Sequence, residues 1–178
     1  MLIQWKLTKV SITMFHKIKN KFGGYVMYNK ILDFVESKLE GFERPEVKYD
    51  VEFKYGVDSR YIYVPIKDEC SIEQKAWWKK FMIGYLEDEY DLYLSICDNY
   101  IFSFLHELGH YITLEGIEPQ LINDNYNRAL MKLDKIKDNT ELETAYRQIN
   151  IERMADLWAT SFIEEYPEVL DIELESIF

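Results

Sequence analysis

The sequence FSFLHELGHY spans residues 102–111 and contains two of the three histidines of the chain. His106 and His110 are four residues apart, and Glu107 directly follows the first of them. On an α-helix, residues four apart lie on one face about one turn apart, so both imidazoles can bind the same metal ion. Glu107 lies one step round the helix, within reach of a water on that ion. The stretch predicts a helix with a metal site; the alternative is a helix that contains two histidines by chance.

A catalytic zinc ion usually has three protein ligands and one open position, so a third ligand is needed. Three residues elsewhere could supply it: Cys70, Cys97 and His16. Residues 149–163 offer a better candidate, because they have helical spacing and present Glu152 and Asp156, four residues apart, on one side. One carboxylate can bind the ion while the other accepts the far N–H of a ligating imidazole. The alternative is two solvated charges on an amphipathic helix.

Both stretches resemble a known family. Residues 102–111 look like the active-site helix of the ImmA/IrrE metallopeptidases, and the sequence ERMADLWA at 152–159 looks like that family's downstream helix, Glu-x-x-Ala-Asn/Asp-x-aromatic-Ala. More broadly, both motifs resemble gluzincins, in which two histidines and a distant glutamate bind zinc. The resemblance covers roughly residues 47–165. It implies one Zn²⁺ per chain with the ligands His106, His110 and Glu152, the general base Glu107, and Asp156 as hydrogen-bond partner of a ligand.

One feature departs from the family, because the segment between His110 and Glu152 is longer than expected. It must contain an extra helix or a long loop above the cleft. Another zincin family with the same ligand set is therefore an open alternative. Gly109 is also unusual, since glycine inside a helix costs about 1 kcal/mol relative to alanine. We expect it to allow close approach of another backbone beside the metal.

The composition is that of a compact enzyme domain. The chain has 178 residues, of which 48% are hydrophobic and 16% aromatic, which is enough for one core and one domain. Its net charge of −11 argues against direct binding of nucleic acid and favours basic partners. Two cysteines do not form a disulfide framework, so a reducing, cytoplasmic location is expected. No apolar run approaches the ~18 residues of a membrane span.

The first 25 residues carry five lysines and no acidic residue, unlike the rest of the chain. We interpret residues 1–26 as a basic N-terminal extension and residues 27–178 as a single zincin-like metallopeptidase domain. A signal peptide is disfavoured because the apolar run is short and lacks a small-residue cleavage site. An amphipathic arm that contacts a membrane or a partner is the other alternative.

Periodicity and turn residues predict an α+β fold: a small, mostly antiparallel sheet packed on the active-site helix, with a predominantly helical C-terminal part. Pro65 places the second strand at a sheet edge or ends it there. Asp98 or Asn99 is expected to cap the active-site helix. Helices are predicted at 29–40 (ending at Gly41), 71–86 (opened by Ser71) and 119–146 (one or two), with a short one after 165. Strands are predicted at 47–55, 60–66 and 92–97.

These features together predict a zinc-dependent endopeptidase that acts on a protein or peptide, such as a basic DNA-binding repressor of a mobile element, as the family resemblance suggests. The substrate is expected to add as a strand beside Tyr61, Ile62, Tyr63 and Val64. The donor to the oxyanion stays open among Tyr111, Tyr126, Tyr146, Arg147 and Arg153. The competing hypothesis is a catalytically inactive zincin-fold module for interaction or sensing.

Overall fold

The structure is a computed structural model, and it describes residues 23–50, 52–65, 72–95 and 98–172. These residues form an α+β fold that is mostly helical, as predicted. The strands are β1 (Glu46–Asp50), β2 (Lys54–Gly56) and β3 (Tyr61–Pro65). The helices are α1 (Gly23–Lys38), α2 (Ile72–Tyr90), α3 (Asp98–Thr113), α4 (Pro119–Leu133), α5 (Asn139–Arg147) and α6 (Asn150–Glu165), and a short 3₁₀ helix follows at Pro167–Asp171.

The sheet is mixed, so the prediction of a mostly antiparallel sheet is wrong. Its order is β1-β3-β2, with β1 parallel and β2 antiparallel to β3. The strand predicted at 47–55 is two strands, which pair with opposite sides of β3. Hydrophobic and polar residues alternate through both strands. This alternation shows which side chains share a face of the sheet, but it does not show where the backbone changes its pairing partner.

β3 is the central strand of the three, so the prediction that it lies at an edge is also wrong. Pro65 is its last residue, which agrees with the other alternative, that the strand ends there. The central position fully buries Ile62 and Val64.

The third predicted strand does not form in the described part of 92–97. Residues 91–95 have no regular secondary structure, and residues 96–97 lie outside the described ranges. Leu92 and Leu94 are buried, which explains the apolar alternation, but the sheet described contains only the three strands above. The backbone amide of Leu92 instead bonds to the carbonyl of Leu86 at the end of α2.

The helices follow the predictions more closely. α1 ends before Gly41, whose φ of +77° suits glycine at a helix stop. Because α1 begins at Gly23, the boundary predicted after residue 26 lies within a helix, while residues 1–22 lie outside the described ranges, as does the predicted cap Ser71. α3 begins at Asp98, so Asp98 and Asn99 lie inside the helix and the prediction that one of them is its cap is wrong. Ser95 and Asp98 instead exchange hydrogen bonds, from the backbone amide of each to the side-chain oxygen of the other. The long spacer between His110 and Glu152 folds as α4 and α5.

α3 is the central helix of the core. All residues from 101 to 110 are buried on it, because apolar side chains lie on several of its faces around the histidines. α6 packs against one side of α3, and β2 and β3 pack against another. No helix in the described part of the chain is long and apolar enough to cross a membrane.

The contact between α3 and α6 confirms the prediction made for Gly109. A Cβ added at Gly109 would lie 2.8 Å from the carbonyl oxygen of Ala155 and 3.0 Å from its Cα. Both atoms belong to the backbone of α6, so they cannot rotate away. The glycine therefore sets how closely the two helices approach.

We predict that Gly109→Ala lowers the free energy of unfolding by about 1–2 kcal/mol, because overpacking outweighs the ~1 kcal/mol gain in helix propensity. Gly84→Ala in α2 is the matched control, since an added Cβ there meets nothing within 4 Å. That control should stabilise the fold by about 0.5–1 kcal/mol. Urea unfolding measures both. If Gly109→Ala stabilises as much as Gly84→Ala, the helices are not in contact at this point.

Candidate metal centre

Three buried side chains from two helices converge at the α3–α6 contact. His106 and His110 lie on α3 and Glu152 lies on α6, and one potential ligand atom of each lies within 4.8 Å of the others. The Nε2 atoms of His106 and His110 are 3.2 and 3.4 Å from Oε2 of Glu152. Since Glu152 precedes Ala155 by one turn of α6, the close approach at Gly109 is what brings the carboxylate to the imidazoles. These residues could bind a metal ion.

Asp156 orients one of the histidines. Its Oδ1 is 2.7 Å from Nδ1 of His106, and both side chains are buried. Because a carboxylate only accepts hydrogen bonds, Nδ1 carries the hydrogen and Nε2 faces Glu152. Glu152 and Asp156 are 4% and 0% exposed, which excludes the alternative of two solvated charges.

Arg147, one of the five candidates for the oxyanion donor, contacts Asp156 and His106 instead. Its Nη1 is 3.1 Å from Oδ1 of Asp156 and 3.4 Å from Nδ1 of His106, so it lies on the edge of the ring that faces away from Glu152. From there it cannot serve as the oxyanion donor considered above. The guanidinium, which also lies 3.5 Å from Glu143, holds Asp156 in place. No residue spacing signals this pair, because it forms between the end of α5 and the middle of α6.

The buried charges fit a divalent cation. Among the described residues, the buried charged side chains are three carboxylates, Glu107, Glu152 and Asp156, and one guanidinium, Arg147. With neutral imidazoles this leaves an excess of two negative charges, which is costly in an interior without a counter-charge. Two imidazole nitrogens and one carboxylate oxygen suit first-row transition ions such as zinc.

The protonation of the metal-free site follows from the same contacts. Burial disfavours the charged imidazole of His106, but its hydrogen bonds with Asp156 and Glu152 raise its pKa to about 9. Burial likewise opposes ionisation of Glu152, yet the two histidines hold the pKa of that carboxyl well below its usual range. A metal ion would therefore displace a proton from the site when it binds.

Glu107 lies beside the ligands on α3 and is 8% exposed. Burial raises the pKa of its carboxyl, and the neighbouring charges of His106 and His110 partly reverse that shift. It therefore binds a proton more readily than a solvated glutamate does. This is the property that a general base near neutral pH requires.

The remaining oxyanion candidates lie in different places. Tyr126 of α4 and Tyr146 of α5 share a hydrogen bond of 2.7 Å between their hydroxyls. Burial raises the pKa of both hydroxyls, and the negative charge of Glu152 raises it further. Tyr111 instead packs against Tyr55 and Arg60, and Arg153 is exposed on α6.

Strand addition at residues 61–64 is contradicted by the sheet. The backbone of Tyr61, Ile62 and Tyr63 is paired with β1 on one side and with β2 on the other, so a substrate strand cannot pair with it. β2 is the edge strand next to the site. The ring of its Tyr55 lies parallel to His110, with 6.3 Å between centroids. The alternative ligands Cys70, Cys97 and His16 lie outside the described residues.

No protein-family model, curated protein or solved structure matches this chain. The case for a metal centre therefore rests on its own geometry.

We predict that Glu152→Gln weakens zinc binding more than Asp156→Asn does, since the first removes a ligand and the second only its support. The effect of Asp156→Asn should be about 10- to 100-fold. Glu164→Gln, an exposed carboxylate on the same helix, is the matched control and should change affinity less than twofold. Competition with a chromogenic chelator measures all three affinities. Equal affinities for Glu152→Gln and Glu164→Gln would remove Glu152 from the ligands.

Proposed function

We propose that this chain is a zinc-dependent endopeptidase of the ImmA/IrrE type. The observation that carries the proposal is the convergence of His106, His110 and Glu152 in the interior, with Glu107 buried beside them on the same helix. A site that only held a metal for structure would need no buried carboxylate next to the ligands. Such a carboxylate is what hydrolysis by an activated water requires.

In the proposed reaction, side chains of this protein bind the ion, hold a ligating imidazole in place and transfer one proton. A zinc ion held by the three ligands would lower the pKa of a bound water toward ~7 and polarise the scissile carbonyl. Glu107 takes a proton from the attacking water as the water oxygen bonds to the carbonyl carbon. It then returns the proton to the leaving amine as the C–N bond breaks. Asp156 and Arg147 keep His106 in the tautomer that leaves Nε2 free.

The tyrosine pair is the best candidate for the donor to the oxyanion. Tyr126 and Tyr146 have raised pKa values, so both hydroxyls stay protonated. One of them donates to the other, which leaves the hydrogen of the accepting hydroxyl available to the oxyanion. Their mutual hydrogen bond fixes the hydroxyls relative to each other. A donor fixed before the reaction stabilises developing charge without reorganisation. The long spacer would then form the roof of the cleft and carry a part of the catalytic machinery.

The substrate class is proposed from the family resemblance and from the charge of the chain. The family resemblance suggests a basic DNA-binding repressor of a mobile element, and the net charge of −11 would attract such a protein at low salt. Incubation with the products of neighbouring genes, followed by mass spectrometry, identifies the target. Intact repressors together with free cleavage of unstructured peptides would exclude this choice of substrate.

The decisive test of the activity is Glu107→Gln. Glutamine is nearly isosteric but does not accept a proton at neutral pH, and Glu107 is not a proposed ligand. We expect the variant to keep its zinc and its fold while the cleavage rate falls by about 10²–10⁴. Zinc stoichiometry and the rate of peptide cleavage are measured on the same sample.

A Glu107→Gln variant that cuts as fast as the parent would contradict the catalytic assignment. A parent protein that binds zinc and cuts no peptide would favour the inactive module for interaction or sensing. Exposed Glu164→Gln again serves as the control for handling and metal loading.

A further inference from the structure

A cavity of about 250 Å³ lies beside the metal centre, and neither the ligands nor Glu107 line it. Its volume equals that of roughly eight liquid waters, enough for a long side chain. Apolar side chains form most of its wall: Val57, Leu114, Ile117, Pro119 and Ile122. Asp58, Arg60 and Glu118 are the charged residues that line it.

One contact connects the cavity to the candidate metal centre. Tyr55, which lines the cavity, also has its ring parallel to the imidazole of His110, with 6.3 Å between the ring centroids. A substrate whose scissile bond is at the metal would therefore have a neighbouring side chain within reach of the cavity.

The charges at the cavity favour a cation. Asp58 and Glu118 are both exposed, so they can meet an incoming side chain without losing all their water. The guanidinium of Arg60 is occupied elsewhere, since it lies over the ring of Tyr111 and donates to that residue's carbonyl oxygen at 3.4 Å. The two carboxylates are therefore opposed by one guanidinium that already has partners. The entrance of the cavity carries a net negative charge next to its apolar wall.

We propose that this cavity is a specificity subsite that accepts a lysine or arginine side chain of the substrate. The aliphatic stem would pack against Val57, Leu114 and Ile122, and the charged end would reach Asp58 and Glu118. The proposal rests on the proposed peptidase function. The subsite adds to that function the type of side chain that the substrate carries near the scissile bond.

The test measures binding rather than cleavage. Labelled octapeptides of alanine and glycine carry one central variable residue, lysine, leucine or glutamate. Their affinity for zinc-loaded Glu107→Gln is read by fluorescence anisotropy. We expect the lysine peptide to bind about 3- to 10-fold more tightly than the leucine peptide, which is the range for two partly solvated ion pairs. The glutamate peptide should bind weakest.

Variants in the same Glu107→Gln background separate the cavity from the overall charge. Asp58→Asn with Glu118→Gln should remove the lysine preference and leave leucine binding unchanged. Asp124→Asn with Asp134→Asn changes the net charge equally at exposed positions that do not line the cavity, and it should preserve the preference. Asp58→Lys with Glu118→Lys should reverse the preference to glutamate, which a misfolded protein could not do.

The outcomes distinguish this proposal from the proposed function. A lysine preference that disappears with Asp58→Asn and Glu118→Gln supports the subsite, even if the parent protein cuts no peptide. Equal binding of the lysine and leucine peptides, or tighter binding of the glutamate peptide through Arg60, overturns the subsite even if the parent cuts peptides rapidly. A preference lost equally in the Asp124→Asn and Asp134→Asn control also overturns it.

Discussion

The candidate metal centre depends on a contact between two backbones, Gly109 of α3 and Ala155 of α6. Any side chain larger than hydrogen at position 109 would meet the carbonyl oxygen of Ala155, and that oxygen can move only with its helix. Separation of the helices would also move the carboxylates of Glu152 and Asp156 away from the imidazoles, since both extend from the turn of α6 that includes Ala155. The packing of the two helices and the convergence of the candidate ligands therefore depend on the same few atoms.

The charges of the site explain why the long spacer between His110 and Glu152 packs against α6. Three buried carboxylates would repel one another in a medium of low dielectric. Arg147 offsets one of these charges, and it comes from α5, which packs on α6. A metal ion would offset the other two. The spacer thus supplies a buried counter-charge through Arg147, and it also contains the hydrogen-bonded pair Tyr126 and Tyr146.

The sequence predicted the local parts of this structure well. Helical periodicity located α1, α2, α3 and α6, and the one-turn spacing of His106 and His110 placed both imidazoles on one face. Apart from the strand predicted at 92–97 and the cap predicted at Asp98 or Asn99, the errors concern partners that are distant in sequence. Alternating residues could not reveal that 47–55 divides between two sides of β3, so the substrate strand was assigned to a backbone that is already paired. Arg147 gives no local signal either, because only the folded chain brings it to Asp156.

X-ray absorption at the zinc edge tests the central claim most directly, because it reports which atoms surround the ion rather than what happens when one is removed. The chain should bind one equivalent of zinc. We predict that the spectrum shows two imidazole nitrogens and carboxylate or water oxygen around zinc at about 2.0–2.2 Å, and no sulfur. A sulfur shell at about 2.3 Å, or a single imidazole, would show that zinc binds elsewhere and would contradict a centre built from His106, His110 and Glu152.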